Sequence, residues 1–207
     1  MELQYHGANC LRITTKKSVI VVDPQSDIAE IKPDLKKATI ALATQSLYVP
    51  TDGELFVVDG PGEYEFEDCS VAGIAAQPHT ASTGDKSATV YRVSNPDVSI
   101  LIVGNIDAKL SEEQLESIGM VDIVVVPVGG SGYTLDAVGA ATVVRAIEPK
   151  MVIPVHSSDD GLKYEVPQGA TELFVKELGA PVAEEVVEKL KIKSLPEQLT
   201  IQLIKKS

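Results

Sequence analysis

Short apolar runs, most of them β-branched, recur along the whole chain. Val19–Val22, Thr39–Ala43, Leu55–Val58, Ser99–Val103, Ile123–Val126, Met151–Val155 and Leu199–Ile204 all fit strands. Several are apolar at successive rather than alternate positions, a pattern that predicts burial on both faces. Turn-forming groups separate them: Asp23-Pro24, Asp59-Gly60-Pro61-Gly62 and Ser94-Asn95-Pro96-Asp97.

Helical signals concentrate in the second half. Ser111 and Gln114 have capping-box spacing for a helix to about Ile118, with Gly119 as its stop. Thr134 is expected to cap a helix that runs through Ile147 and ends at Pro149, with Asp136 in its first turn beside the positive dipole end. A third helix is expected over Ala170–Leu178, ended by Gly179, and a last one over Val182–Leu190. Strands therefore dominate the first half, and strand-helix-strand order the second. With no Pro-, Gly- or Ser-rich linker and no short tandem repeat, one α/β domain over residues 1–207 is expected, its sheets packed together and its helices outside.

Composition narrows the partners. The chain of 207 residues is long enough to bury a real core, and its hydrophobic share of 44% suits one. Aromatics make up only 4% and Trp is absent, so Val, Ile, Leu and Ala must fill that core. Thirty acidic against 18 basic residues give a net charge of −12, which disfavours a nucleic-acid partner because such binding rests on Lys and Arg. No apolar run approaches the ~20 residues that span a bilayer, so no membrane partner is expected. The start Met1-Glu2-Leu3-Gln4-Tyr5 lacks the basic and apolar regions of a secretory signal. Cys10 and Cys69 have no metal-type spacing and are too few for a disulfide scaffold, so a cytoplasmic location with both thiols buried is the expectation.

The opening Tyr5-His6-Gly7-Ala8-Asn9-Cys10, followed by Val19-Ile20-Val21-Val22-Asp23-Pro24, resembles the start of the metallo-β-lactamase superfamily. It is most similar to a compact branch of metal-dependent hydrolases akin to the L-ascorbate-6-phosphate lactonase group. Asp59-Gly60-Pro61-Gly62-Glu63-Tyr64-Glu65, Pro127-Val128-Gly129-Gly130 with Tyr133-Thr134-Leu135-Asp136-Ala137, and Val152-Ile153-Pro154-Val155-His156 extend the match in family order to about residue 160. The resemblance implies a four-layer αββα sandwich with its site at the sheet edges.

It also shows where this chain departs. The family's His-x-His-x-Asp-His motif falls on Thr44, Ser46, Tyr48 and Val49, none of them an ordinary Zn²⁺ ligand. The family's metal-bridging Gly-Asp falls on Gly104-Asn105. Two dications ~3.5 Å apart repel by roughly 19 kcal/mol at an effective dielectric of ~20, and a neutral amide offsets little of that. Near the N-terminus Ala8 follows Gly7, where the family has Gly-His. His156 stands at the family's last ligand position and His79 near its mid-chain one. Two imidazoles do not make a dinuclear site, so no cofactor is expected; a single Zn or Mn would need His79, His156 and a carboxylate such as Asp136 or Asp107.

The candidate pocket is therefore His156, His79, Asn105 and Asp136, with no catalytic residue assigned. Each has a plainer explanation: a hydrogen-bonded strand-end histidine, an exposed loop imidazole, a strand-end amide and a helix-start carboxylate. His6 reads as a sheet-edge histidine and Asp23 as a turn residue. Gly129, Gly130 and Gly132 could form an anion nest before the following helix. Ser157 beside His156 lacks a nucleophile elbow, and Cys10 lacks any local reason for a lowered pKa. The reading is a family member without catalysis or without metal, with a vestigial pocket for a small ligand or a protein partner; a homo-oligomer is compatible with it. Its alternative is a phosphodiester or lactone hydrolase with a reduced, mononuclear site.

Overall fold

The computed structural model describes residues 1–24, 31, 33, 35–51, 55–81 and 84–207. Two mixed sheets stack face to face. The first has six strands: β1 (Glu2–Gly7), β2 (Cys10–Thr14), β3 (Val19–Val22), β4 (Ile40–Leu42), β5 (Phe56–Val58) and, beside β1, the late strand β12 (Lys189–Lys191). The second has seven, in the order β13 (Thr200–Ile201), β11 (Met151–Val155), β10 (Ile123–Pro127), β9 (Ser99–Ile102), β8 (Ala88–Ser94), β7 (Cys69–Ala76) and β6 (Gly62–Phe66).

Period-two alternation divides the apolar side chains between two cores. Leu11, Ile13, Ile20, Val22, Ile40 and Leu42 of the first sheet meet Val71, Val93, Ile100, Ile102, Val125 and Ile153 of the second. The opposite faces of those second-sheet strands, including Val90, Leu101, Val124 and Val152, pack under helices. These are α1 (Glu112–Ile118), α2 (Ala137–Ile147) and α3 (Thr171–Leu178). Central β9, β10 and β11 are parallel and buried on both faces, which is why their sequences are continuous apolar runs. The architecture is the α/β sandwich expected of the metallo-β-lactamase type. Helices α1, α2 and α3 all lie on the seven-stranded sheet, and a 3₁₀ turn, Ser46–Tyr48, follows β4 of the six-stranded one.

Two expectations need correction. Val182–Leu190 is not a helix: Val182 bridges Ile201, Val187 bridges Ile204, and Lys189–Lys191 joins β1 as β12. Pairing with exposed sheet edges satisfies this backbone where the local helical pattern would leave those edges open. Thr134 does not cap α2. Asp136 does, accepting from the Gly139 N–H at 2.7 Å, and Thr134 turns inward instead. The Ser111–Gln114 capping box is present, and Gly179 ends α3 at φ 70°.

Candidate functional site

At one end of the sandwich, strands β3, β4, β9 and β11 deliver Asp23, Thr44, Asn105 and His156 within a few residues of their last pairings. All four are buried, at 4% exposure or less. Polar groups so placed must satisfy one another.

Asn105 is the hub. Its Oδ1 accepts from Asn9 Nδ2 at 2.8 Å and from the Thr134 hydroxyl at 2.8 Å, and its Nδ2 donates to the Tyr48 hydroxyl at 3.0 Å. Asn9 Oδ1 in turn faces His156 Nδ1 at 3.3 Å. Because Asn9 spends its amide N–H on Asn105, its oxygen is the acceptor in that contact, so the His156 proton sits on Nδ1. Nε2 is left as a bare lone pair, buried and without a hydrogen-bond partner. Burial pushes the His156 pKa down to about 4, so the ring stays neutral.

Aromatic rings enclose this histidine. Tyr164 stacks on it with centroids 5.0 Å apart and planes inclined by 20°; Tyr133 tilts against it at 5.7 Å; the Tyr5 hydroxyl accepts from its backbone N–H at 3.2 Å. With Tyr48, four of the six tyrosines gather here.

A second buried pair adjoins the first. Thr44 donates both its backbone N–H and its hydroxyl to Asp23, each at 2.7 Å. Gly104 lies so close that a Cβ would meet Thr44 Cβ at 2.9 Å, and its φ of 66° suits glycine. Ala8, Asp23 and His156 also hold positive φ, at 44°, 45° and 51°. Non-glycine residues pay roughly 1–2 kcal/mol each for that conformation, so strain concentrates at this end of the fold.

The family follows from this frame together with the sequence. A model of the β-lactamase superfamily domain matches residues 2–156. The chain belongs to the metallo-β-lactamase superfamily. Its relatives include a UPF0173 metal-dependent hydrolase of Thermoplasma acidophilum, 25% identical, with 75% of this chain and 83% of that protein covered. Among solved structures, a protein of the superfamily from Thermotoga maritima, assigned as a Zn-dependent hydrolase, superposes with a TM-score of 0.76 at 20% identity over 99% of both chains. Igni18, a metallo hydrolase of Ignicoccus hospitalis, gives 0.64 at 14% identity over 86% of this chain and 90% of its own.

Against the expected metallo-β-lactamase pocket, His156 and Asn105 come together through Asn9. His79 reaches the same strand end by its backbone, donating its N–H to the Asn105 carbonyl at 3.0 Å, and its ring Nδ1 is buried without a hydrogen-bond partner. Asp136 stands apart: it is exposed, caps α2 and lines a separate depression of about 480 Å³ with Gly129, Gly130, Val138 and Leu173. That cap also puts a carboxylate where an anion nest would bind its guest. Asp107 is used locally, accepting from the Lys109 N–H at 2.8 Å. Among the described residues, no three His, Cys, Asp or Glu side chains group as metal ligands. Sequence reasoning missed Asn9, Thr134 and the tyrosine enclosure. The available signal was motif membership: Tyr5 and Asn9 lie inside the Tyr5–Cys10 motif, and Tyr133 and Thr134 inside the Tyr133–Ala137 one.

No helix among the described residues is long and apolar enough to cross a membrane. Cys10 and Cys69 are buried free thiols, and burial raises the pKa of both.

Proposed function

We propose that this chain is a metal-independent, non-hydrolytic member of its superfamily whose site recognises a small ligand or a protein partner. One observation carries the reading: the residue at the family's bridging-carboxylate position, Asn105, is an uncharged amide already engaged by Asn9, Thr134 and Tyr48. A dinuclear centre needs anionic charge and free lone pairs at that point. The donor set does not fit one. Thr44 and Tyr48, at two positions of the family's histidine-rich motif, are committed to Asp23 and Asn105, and Ser46 and Val49 are not ordinary metal ligands.

A second reading has its own support. His79 Nδ1 and His156 Nε2 are buried ring nitrogens without hydrogen-bond partners, and relatives are named as metal-dependent hydrolases. A single Zn or Mn ion on two imidazoles would be a reduced hydrolytic site. Elemental analysis of protein purified without chelator separates the two. Well under 0.1 metal per chain, with no phosphodiester or lactone cleavage on adding Zn²⁺ or Mn²⁺, is the expected result. Near-stoichiometric metal with turnover overturns it.

A further inference from the structure

Strand β5 ends the six-stranded sheet and β6 ends the seven-stranded one. The two edges come together where Phe56 and Phe66 meet edge to face, their ring centroids 5.8 Å apart. Among the described residues, β6 pairs with β7 on one side and with no strand on the other. Such an edge presents a row of main-chain donors and acceptors to any extended segment that can align with it.

Side chains alternate along β6. Tyr64 and Phe66 pack against the core between the sheets but are only half-buried, and Phe56 beside them is 55% exposed. Apolar surface is thus left open along the seam between the two edges. Glu63 and Glu65 take the opposite face and are exposed, and Glu67, just past the strand, is exposed too. Beside the Phe66 end lies a depression of about 670 Å³, lined by Glu65, Glu67, Asp68 and Asp97 against one cation, Lys16.

Charge decides what can occupy this edge. A second copy, paired antiparallel with both outer faces on one side, would meet like charge. The registers centred on Glu63, Tyr64 and Glu65 set Glu63 opposite Glu63, Glu63 opposite Glu65, and Glu65 opposite Glu65. Like charges directly opposed across strands are destabilising, and a net charge of −12 on each chain adds to the repulsion. Lys or Arg on the incoming segment turns each of those contacts into an attractive cross-strand pair. Its intervening positions must be apolar, because they cover Phe56, Tyr64 and Phe66.

We propose that the β6 edge docks an extended basic segment of a protein partner, cationic at alternate positions and apolar between them. The segment joins the seven-stranded sheet as a further strand, its cations along Glu63 and Glu65 and one end at the acidic depression. This surface is separate from the Asn105 network, and the proposal does not rest on the metal-free reading.

A labelled peptide of sequence Lys-Val-Lys-Val-Lys-Val-Lys tests it by fluorescence anisotropy. The control peptide has the same composition in blocks, Lys-Lys-Lys-Lys-Val-Val-Val. The alternating peptide should bind about tenfold more tightly than the block peptide. Glu63→Lys with Glu65→Lys, both at exposed positions, should weaken it by about tenfold or more. Glu184→Lys with Glu188→Lys makes the same change in net charge at exposed positions beside β12, at the far edge of the six-stranded sheet. That variant should bind within about twofold of wild type. Amide hydrogen exchange should slow at residues 62–66 when the alternating peptide is added. Equal binding of the two peptides, equal weakening by the two double variants, or slowed exchange elsewhere but not at β6 overturns the proposal. Sedimentation equilibrium of the protein alone covers the remaining occupant: a dimer that the alternating peptide disperses shows that a second copy takes this edge, which also overturns it.

Discussion

Asp23 and Thr44 form a closed pair in which both oxygens of a fully buried carboxyl receive hydrogen bonds from one threonine. Burial raises the Asp23 pKa to about 7 in spite of the two bonds from Thr44, which pull it down. The pair ties β3 to β4 at the edge where the family builds its site. Its strength depends on which protonation state the folded protein keeps.

The sign follows from linkage. An unfolded Asp ionises near 3.9, whereas folded Asp23 holds its proton to about 7. Its contribution is fully present below about pH 4 and is lost as pH rises through about 7. Asp23→Asn keeps an acceptor for the Thr44 N–H and removes the titration. The unfolding free energy of wild type minus variant should fall by up to about 4 kcal/mol across that window. Urea denaturation at half-unit pH steps measures it; a flat difference curve shows that Asp23 is ionised in the fold.

His156 acts in the opposite sense. Burial keeps it neutral to about pH 4, while the unfolded ring protonates near 6.5. Stability is therefore present above about pH 6.5 and lost as pH falls to about 4, by up to about 3 kcal/mol. Wild type minus His156→Gln should rise with pH over that range. NMR titration of the ring supplies an independent check, and a native pKa above 6 refutes the buried neutral histidine.

The sheets were legible in the sequence because β9, β10 and β11 are buried on both faces and leave continuous apolar runs. Strands such as β7 and β8 were not, since Ser70, Gly73 and Arg92 break the apolar pattern that pairing alone restores. The extended course of Val182–Leu190 depends on partners at Ile201 and Ile204, which no local window contains. The site was half legible. Motif positions pointed to His156 and Asn105, which the structure joins through Asn9, but Asn9 and Thr134 meet Asn105 from 96 and 29 residues away. Asp136, expected at the pocket, is exposed and caps α2, and a helix cap and a pocket carboxylate look alike in sequence.

Removing the hub should cost more than removing any one spoke. Asn105→Leu conserves shape but leaves Asn9 Nδ2, the Thr134 hydroxyl and the Tyr48 hydroxyl without their buried partner. The expected loss is about 2–4 kcal/mol. Thr134→Val removes one contact and should cost about 1 kcal/mol. Chemical denaturation gives both values, and an Asn105→Leu loss no larger than that of Thr134→Val shows that the amide does not organise this network.

A gain is expected at the other end of α2. Glu148 follows the helix at φ 56° and ψ 51°, a left-handed position, and it precedes Pro149. An L side chain is strained there, while glycine is not. The Glu148 side chain is exposed, so deleting it removes little packing. Glu148→Gly gives up some unfolded-state restriction, which offsets part of the relief. The net expectation is a gain of about 0.5 kcal/mol, or about 1–2 °C in Tm for a chain of this size. Thermal unfolding at neutral pH decides it: a lower Tm for Glu148→Gly means that the backbone at this helix end does not hold the strained conformation.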